Sequence, residues 1–170
     1  MRGTTIMSFV EDGLTTPAVS PDFAALFRAE RDGVYRTMLA FSGGRADIAE
    51  EATAEAFARA FARRGELRDP IAWIYRCAFR VATDEARRDR RRGDAVDVEI
   101  PGASPGLVDL IAALRRLSPN QRAAIVLRHV ADLEMHDVAR RMGTATPTVR
   151  VHLHRGRARL RELLGTEEVD

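Results

Sequence analysis

The stretch from Leu133 to Leu163, LEMHDVARRMGTATPTVRVHLHRGRARLREL, constrains the fold more than any other part of the chain. It reads as a short helix, a glycine turn and a second, arginine-studded helix. Val138, Ala139 and Met142 share one face of the first helix, and Gly143 supplies permissive backbone where that helix must stop. Thr146 is expected to cap the second helix, with Pro147 at its first position. Along that helix Val149, Leu153, Gly156, Leu160 and Leu163 or Leu164 recur at helical spacing. Burying that stripe turns Thr148, Arg150, Val151, His154, Arg155, Arg157 and Arg159 outward. This is the layout of a helix-turn-helix, in which the second helix enters a groove lined by phosphates. The competing reading is an ordinary helical hairpin with a solvated basic face.

Ala, Leu and Arg dominate the rest of the 170 residues, and alternating apolar and polar runs are scarce, so the fold should be all-α. The formal net charge of +2 conceals strong local segregation, and every basic residue is Arg. One cysteine, Cys77, excludes an internal disulfide, and on its apolar stripe it reads as a small core residue. The absence of a signal-peptide pattern and of a long apolar run points to a cytoplasmic protein that does not insert in a membrane.

Two small helical domains joined by a flexible linker are expected, the second ending in the helix-turn-helix. Residues 1–20 carry Gly, Thr and Pro without periodicity and read as a flexible extension. The first domain, 21–91, opens at Ser20-Pro21-Asp22, and Phe23, Phe27, Val34, Met38 and Phe41 repeat along its first helix until Gly43-Gly44. A second helix spans about Ala46 to Arg63, and a third begins at Asp69-Pro70 with Trp73, Cys77, Val81 and Asp84 on one side. Residues 92–104 are charged, then Gly- and Pro-containing, with no apolar stripe, and read as the linker. The second domain, 105–166, starts after Ser104 with the stripe Val108, Ile111 and Leu114. Ser118 and Gln121 then form a capping box before the run Ala123 to Val130. Residues 167–170 are a flexible tail.

Two charged faces mark the first domain. Asp47, Glu51 and Glu55 recur every four residues on the second helix, with Glu50 beside them, as either a docking face or merely a solvated one. On the third helix Arg76, Arg80, Thr83, Arg87 and Arg90 follow helical spacing, with Tyr75 and Phe79 on an adjoining strip. Arginines track phosphates and aromatics stack on unpaired bases; the competing reading is an arginine face over an aromatic core.

DIAEEATAEAFARAF and AWIYRCAFRVATDEARRDRRR in the first half, with LRRLSPNQRAAIVLRHVADLEMHDVARRMG and TVRVHLHRGRARL in the second, resemble the two signature regions of the extracytoplasmic-function group of sigma-70-type transcription initiation factors. The resemblance spans about Phe23 to Leu164 and keeps the family's order. It implies a non-enzymatic factor that binds core RNA polymerase and promoter DNA, with an anti-sigma factor as the further partner it admits and no cofactor or metal. By the same resemblance Asp47, Glu50, Glu51 and Glu55 dock on the polymerase clamp helices. The loop from Arg64 to Asp69, with Arg68, and the helix bearing Arg76, Phe79, Arg80, Thr83 and Arg87 melt and capture the downstream promoter element. The upstream element is bound as duplex by Thr146, Thr148, Arg150, Val151, His154, Arg155 and Arg159, with Thr148, Arg150, Val151 and His154 nearest base edges and Arg155 and Arg159 nearest phosphate. The residues from Arg92 to Pro105 thread toward the RNA-exit channel.

The chain departs from the family pattern at Ala54, where Gln is usual, at Glu51 for Asp, at Phe79-Arg80 for Arg-Asn, at Glu134 for a capping Ser, and at Pro147 for Gly. Glu134 should therefore cap its helix less well than Ser. No zinc-spaced Cys/His cluster, phosphate-cradling glycine loop or Gly-x-Ser-x-Gly run is present, and His152 and His154, two apart on a helix, do not form a metal pair. The rival functions are a self-sufficient helix-turn-helix regulator of duplex operators and an adaptor whose first domain only docks protein.

Overall fold

The computed structural model describes residues 22–93, 98 and 100–165, and these contain seven α-helices and no strand. The extension 1–20, the tail 167–170 and linker positions 94–97 and 99 lie outside the described residues. Helices α1 (Phe23–Phe41), α2 (Ala46–Ala62) and α3 (Pro70–Arg92) form the first group. Helices α4 (Pro105–Arg115), α5 (Pro119–His129), α6 (Met135–Met142) and α7 (Thr146–Leu164) form the second.

Local chemistry explains most of these boundaries. Asp22 caps α1 by accepting from the Ala24 and Ala25 amides at 3.0 and 3.1 Å, and Asp69 caps α3 by accepting from Ala72 at 3.2 Å ahead of Pro70. Both halves of the expected capping box on α5 are present, the Gln121 amide donating to Ser118 Oγ and the Ser118 amide to Gln121 Oε1. Gly143 ends α6 at φ 67°, the left-handed region that favours glycine. Glu134 offers α6 no side-chain cap, as its chemistry predicts.

Several expected details are corrected. Ala145, not Thr146, holds the extended N-cap position of α7 and gives no side-chain hydrogen bond; Thr146 and Pro147 are already helical. The proline is tolerated there because an amide in the first turn has no intrahelical partner to lose. On α4 Val108 is exposed and Ile111 half-buried, while Ala113 and Leu114 face inward with Leu117 beyond. That short helix packs on α1 and α7 and buries only Ala113 and Leu114, in its last turn. On α3 the inward stripe is Ile74, Cys77, Ala78 and Ala82, whereas Trp73, Val81 and Asp84 are half-buried.

In the first group α2 packs on α1 and α3 through Ile48, Ala49, Ala52, Ala56, Phe57 and Ala60. Alanines at the crossing let the backbones approach closely, and the buried Phe23 and Phe57 pair edge-to-face with the exposed Phe61 and Phe27. In the second group α7 lies across α5, and a methyl built on Gly156 would come within 3.2 Å of Ile125 Cγ1. Gly156 is therefore the close-approach point that seats α7.

The two groups also pack on each other, α1 on α4 and α5 and α3 on α6, so one hydrophobic cluster runs through both. Arg122 on α5 is largely buried yet meets no carboxylate among the described residues. Its guanidinium instead donates to the carbonyls of Leu114, Arg115, Leu117 and, across the groups, Phe41 at 3.2 Å, and it lies 5.2 Å over the Phe41 ring. Burial, with Arg90 and Arg115 nearby, brings its pKa down to about 10. Arg115 Nη2 likewise donates to the Gly43 carbonyl at 2.7 Å. Both arginines thus satisfy carbonyls left open at the end of α1. From the linker, Val98 and Ile100 come against Gly44.

Candidate nucleic-acid interface

Three surfaces carry the residues singled out by the sequence. The first is the outward face of α7. Val149, Leu153 and Gly156 are buried, which leaves Thr148, Arg150, Val151, His154, Arg155 and Arg159 exposed and Thr146 half-buried at the start of the helix. Val151 is 45% exposed, a branched side chain offered to solvent beside Arg150, as a contact to a thymine methyl requires. Arg150, His154 and Arg157, with Met135 and Arg161, line a shallow hollow of about 270 Å³ between α7 and the start of α6. Not every arginine here is equally free. Arg159 pairs with Glu162 at 2.7 Å, and Arg157 meets His129 Nε2 at 3.2 Å. Burial, together with Arg157 and Arg128, pushes the His129 pKa down, so its ring favours the neutral form that accepts from Arg157.

The second surface is α3 with the loop before it. Arg68, Arg76, Arg80 and Arg87 are exposed and Thr83 is half-buried, its hydroxyl donating to the Phe79 carbonyl at 2.7 Å. Arg87 lies 4.0 Å from Asp84. The aromatic strip behaves differently from the expectation. Tyr75 is 2% exposed and belongs to the core, where it offers no face to a base. Phe79 is half-buried, edge-on to Phe41 at 4.8 Å, and presents only its remaining edge.

Helix α6 lies against this second surface. Arg76 Nη1 donates to the Arg140 carbonyl at 2.9 Å, and Arg140 forms an ion pair with Asp69 at 2.6 Å. Arg141 sits 4.7 Å over the Tyr75 ring. Burial pushes the Asp69 carboxyl up, but the hydrogen bonds from Arg140 and from the Ala72 amide outweigh it and hold the pKa below the usual value. Between α3 and the start of α5 a cleft of about 520 Å³ remains, lined by Phe41, Phe79, Arg80, Asn120 and Met142 among others. Sequence reasoning missed Arg115, Arg122 and Arg140, because an arginine that bonds a carbonyl or a distant carboxylate carries the same letter as one that bonds phosphate.

The third surface is the acidic face of α2. Glu50 and Glu51 are exposed and form no ion pair with the described residues. Asp47 is gripped at both oxygens by Arg45, at 2.8 and 2.5 Å, and Arg45 also reaches Asp89 at 2.8 Å. Arg45's hydrogen bonds hold the Asp47 carboxyl below its usual range against the opposing pull of burial. Glu55 pairs with Arg59 one turn on, at 2.6 Å. Glu50 and Glu51 are therefore the part of this face most open to a basic partner.

Neither a cluster of groups arranged to hold a metal ion nor a helix long and apolar enough to cross a membrane occurs among the described residues. Residues 107–160 match the family model described as Sigma-70, region 4, which takes in most of α4, all of α5 and α6 and most of α7. Over 172 aligned residues the chain is 33% identical to the ECF RNA polymerase sigma factor SigE of Mycolicibacterium smegmatis, covering 91% of this chain and 66% of that one. It is 30% identical over 152 residues to the ECF RNA polymerase sigma factor SigM of Mycobacterium tuberculosis strain H37Rv, covering 84% of this chain and 77% of that one. Among solved structures, the sigma factor RpoE of Bartonella quintana, in complex with the anti-sigma factor NepR, matches with a TM-score of 0.66 at 25% identity, over 86% of this chain and 99% of that one.

Proposed function

The chain belongs to the extracytoplasmic-function group of RNA polymerase sigma factors, and from that premise we propose that it recruits core RNA polymerase to promoters and helps to open them. The observation that carries this reading is the partition of α7, where Val149, Leu153 and Gly156 seat the helix and Thr148, Arg150, Val151, His154 and Arg155 are left facing out. Such a helix places side chains at base edges in a major groove while its flanking arginines meet phosphate.

In this proposal the upstream element is read as duplex by Thr146, Thr148, Arg150, Val151 and His154, with Arg155 and Arg159 on phosphate. Arg68, Arg76, Arg80, Thr83 and Arg87 follow the downstream element as a single strand, and Phe79, held against Phe41, fixes the helix face beneath them. Glu50 and Glu51 dock on the polymerase first, while Asp47 and Glu55 must exchange Arg45 and Arg59 for basic groups of the polymerase. The proposed role is non-enzymatic and cytoplasmic. An anti-sigma factor is proposed as a further partner, since the matched RpoE is solved with one. The two domains, 21–91 and 105–166, divide this labour, with 92–104 as the connection between them.

Run-off transcription on a genomic library with core polymerase tests the reading. New start sites that need both the chain and core polymerase are expected. Tight duplex binding by the chain alone, with no new transcripts when core is added, would instead identify a self-sufficient regulator.

A further inference from the structure

A hollow of about 480 Å³ lies where the ends of α1 and α4 meet the second half of α3 and the start of α5. Arg90 of α3, Arg115 and Arg116 at the end of α4 and Arg122 of α5 line it, and none of the four pairs with a carboxylate among the described residues. Asp89, the one acidic residue of the described lining, is held by Arg45 at 2.8 Å, so its charge is already offset. Burial lowers the Arg122 pKa, and Arg90 and Arg115 beside it add to the effect. A guanidinium taken out of water with only carbonyls to meet it keeps an uncompensated charge, which an anion would stabilise. Donors remain for such a ligand. Arg115 engages Nη2 alone, with the Gly43 carbonyl, Arg90 engages Nε alone, with the Ala86 carbonyl, and the Arg116 side chain forms no hydrogen bond among the described residues.

We propose that this hollow is an anion site that takes the diphosphate group of a small molecule, either free pyrophosphate or a nucleoside diphosphate. Guanidinium bonds phosphate oxygens two at a time through its planar fork, which favours phosphate over a spherical anion. One phosphate carries about −1.5 to −2 charges at neutral pH, so it leaves much of a four-arginine wall uncompensated, and two linked phosphates match it better. The shape favours a small ligand over a nucleic-acid backbone. The volume falls in the range of roughly 300–1,000 Å³ usual for small-molecule pockets, and the four arginines converge on it from three helices. A backbone is instead followed by cations set in a row along one face. None of the four is among the residues given to promoter or polymerase in the proposed function, so the site stands apart from that reading. A diphosphate held here bridges α3 to α4 and α5, and by mass action it stabilises the arrangement in which these arginines meet.

The test titrates pyrophosphate, orthophosphate, ADP and GDP separately into the full chain by calorimetry, at an ionic strength of about 0.15 M to screen diffuse attraction. Saturable binding of pyrophosphate is expected, with orthophosphate several-fold weaker. A nucleoside diphosphate that binds more tightly than pyrophosphate names a nucleotide as the source of the group, and one that binds equally or more weakly names the free anion; either supports the site. Arg90→Ala combined with Arg116→Ala should weaken pyrophosphate at least about 10-fold, because two charge-assisted donors are lost. Arg28→Ala combined with Arg31→Ala removes the same charge from the exposed first turns of α1 and should stay within about twofold of wild type, as screening requires. Thermal melts confirm that both double variants fold, and pyrophosphate should raise the melting temperature of wild type and of the Arg28/Arg31 variant but not of the Arg90/Arg116 variant. Absence of saturable binding by any diphosphate overturns the proposal, as does equal weakening in the two double variants. Saturation seen only with a single-stranded oligonucleotide, and lost in the Arg90/Arg116 variant, would assign the hollow to nucleic-acid backbone and overturn the small-ligand site.

Discussion

Phe79 is where packing and strand capture compete for one side chain, and replacing it separates the two. Its ring meets Phe41 edge-on at 4.8 Å and Tyr75 at 6.3 Å, and most of it is shielded against the core. Truncating a fully buried Phe to Ala loses about 3–5 kcal/mol, of which an aromatic pair supplies roughly 0.5–1.5. Partial burial together with loss of the Phe41 pair places Phe79→Ala near ~2–4 kcal/mol, by scaling that range. For a chain of this size such a loss lowers the melting temperature by roughly 4–16 °C. Phe79→Leu keeps most of the apolar volume but removes the ring, so its loss should stay below about 1.5 kcal/mol. Thermal melts followed by circular dichroism, run beside permanganate footprinting of an opened promoter with core polymerase, read both effects. The expected pattern is a destabilised Phe79→Ala whose opening defect shrinks on cooling, and a Phe79→Leu that opens the promoter as wild type does. A Phe79→Ala protein that melts with wild type, or a stable Phe79→Leu that cannot open DNA, would refute the assignment of this ring to packing.

Glu51→Arg should weaken association with core polymerase several-fold in a pull-down titration while leaving the melt unchanged, because Glu51 is exposed and pairs with no described residue. Arg150→Ala should relax selection at one or two base pairs of the upstream element, each contact being worth about 1–3 kcal/mol, whereas Arg155→Ala should weaken all promoters evenly; gel shifts across a promoter mutant set distinguish a base reader from a phosphate clamp. His129 titrates below its ordinary value because burial and the neighbouring Arg157 and Arg128 disfavour its charge. The unfolded chain therefore takes up that proton first, and stability contributed by the neutral ring, complete above the unfolded value near pH 6.5, declines as pH falls through it. His129→Gln should flatten the melting temperature between about pH 7 and pH 5 relative to wild type, and an equally steep dependence in the variant would remove His129 as the cause.

Most of the fold was legible because its signals are local. Asp22, Asp69, Ser104 and Ser118 each cap the helix that the periodicity placed after them, and Gly143 turns where a left-handed backbone is required. These are interactions over two to four residues, which a sequence displays directly. Thr146 misled for the same reason. A threonine before proline has the chemistry of a cap, yet the helix begins one residue earlier because extended backbone at Ala145 already leads into Thr146. Val108 misled through the period itself, since a helix of eleven residues can carry an apolar stripe and still bury only its last turn.

The candidate site was legible where a helix has one buried side. Val149, Leu153 and Gly156 fix the rotation of α7, so the outward residues follow without knowledge of any neighbour. On α3 that logic fails, because its outward face is partly inward to α6, 64 residues on at the Arg76–Arg140 contact. Arg76 and Arg80 stand one turn apart and look alike in sequence, but only Arg76 finds the Arg140 carbonyl. Which arginines touch DNA and which touch the protein is set by long-range geometry that periodicity does not encode. In a chain whose every cation is arginine, composition gives no help either. Guanidinium suits both tasks, since its planar fork bonds a carbonyl, a carboxylate or a phosphate with the same donors. The polar contacts that hold the two helical groups together are thus made of the same chemistry as the surface proposed to bind promoter DNA, guanidinium donors that here serve Asp69 and the carbonyls of Phe41, Gly43 and Arg140.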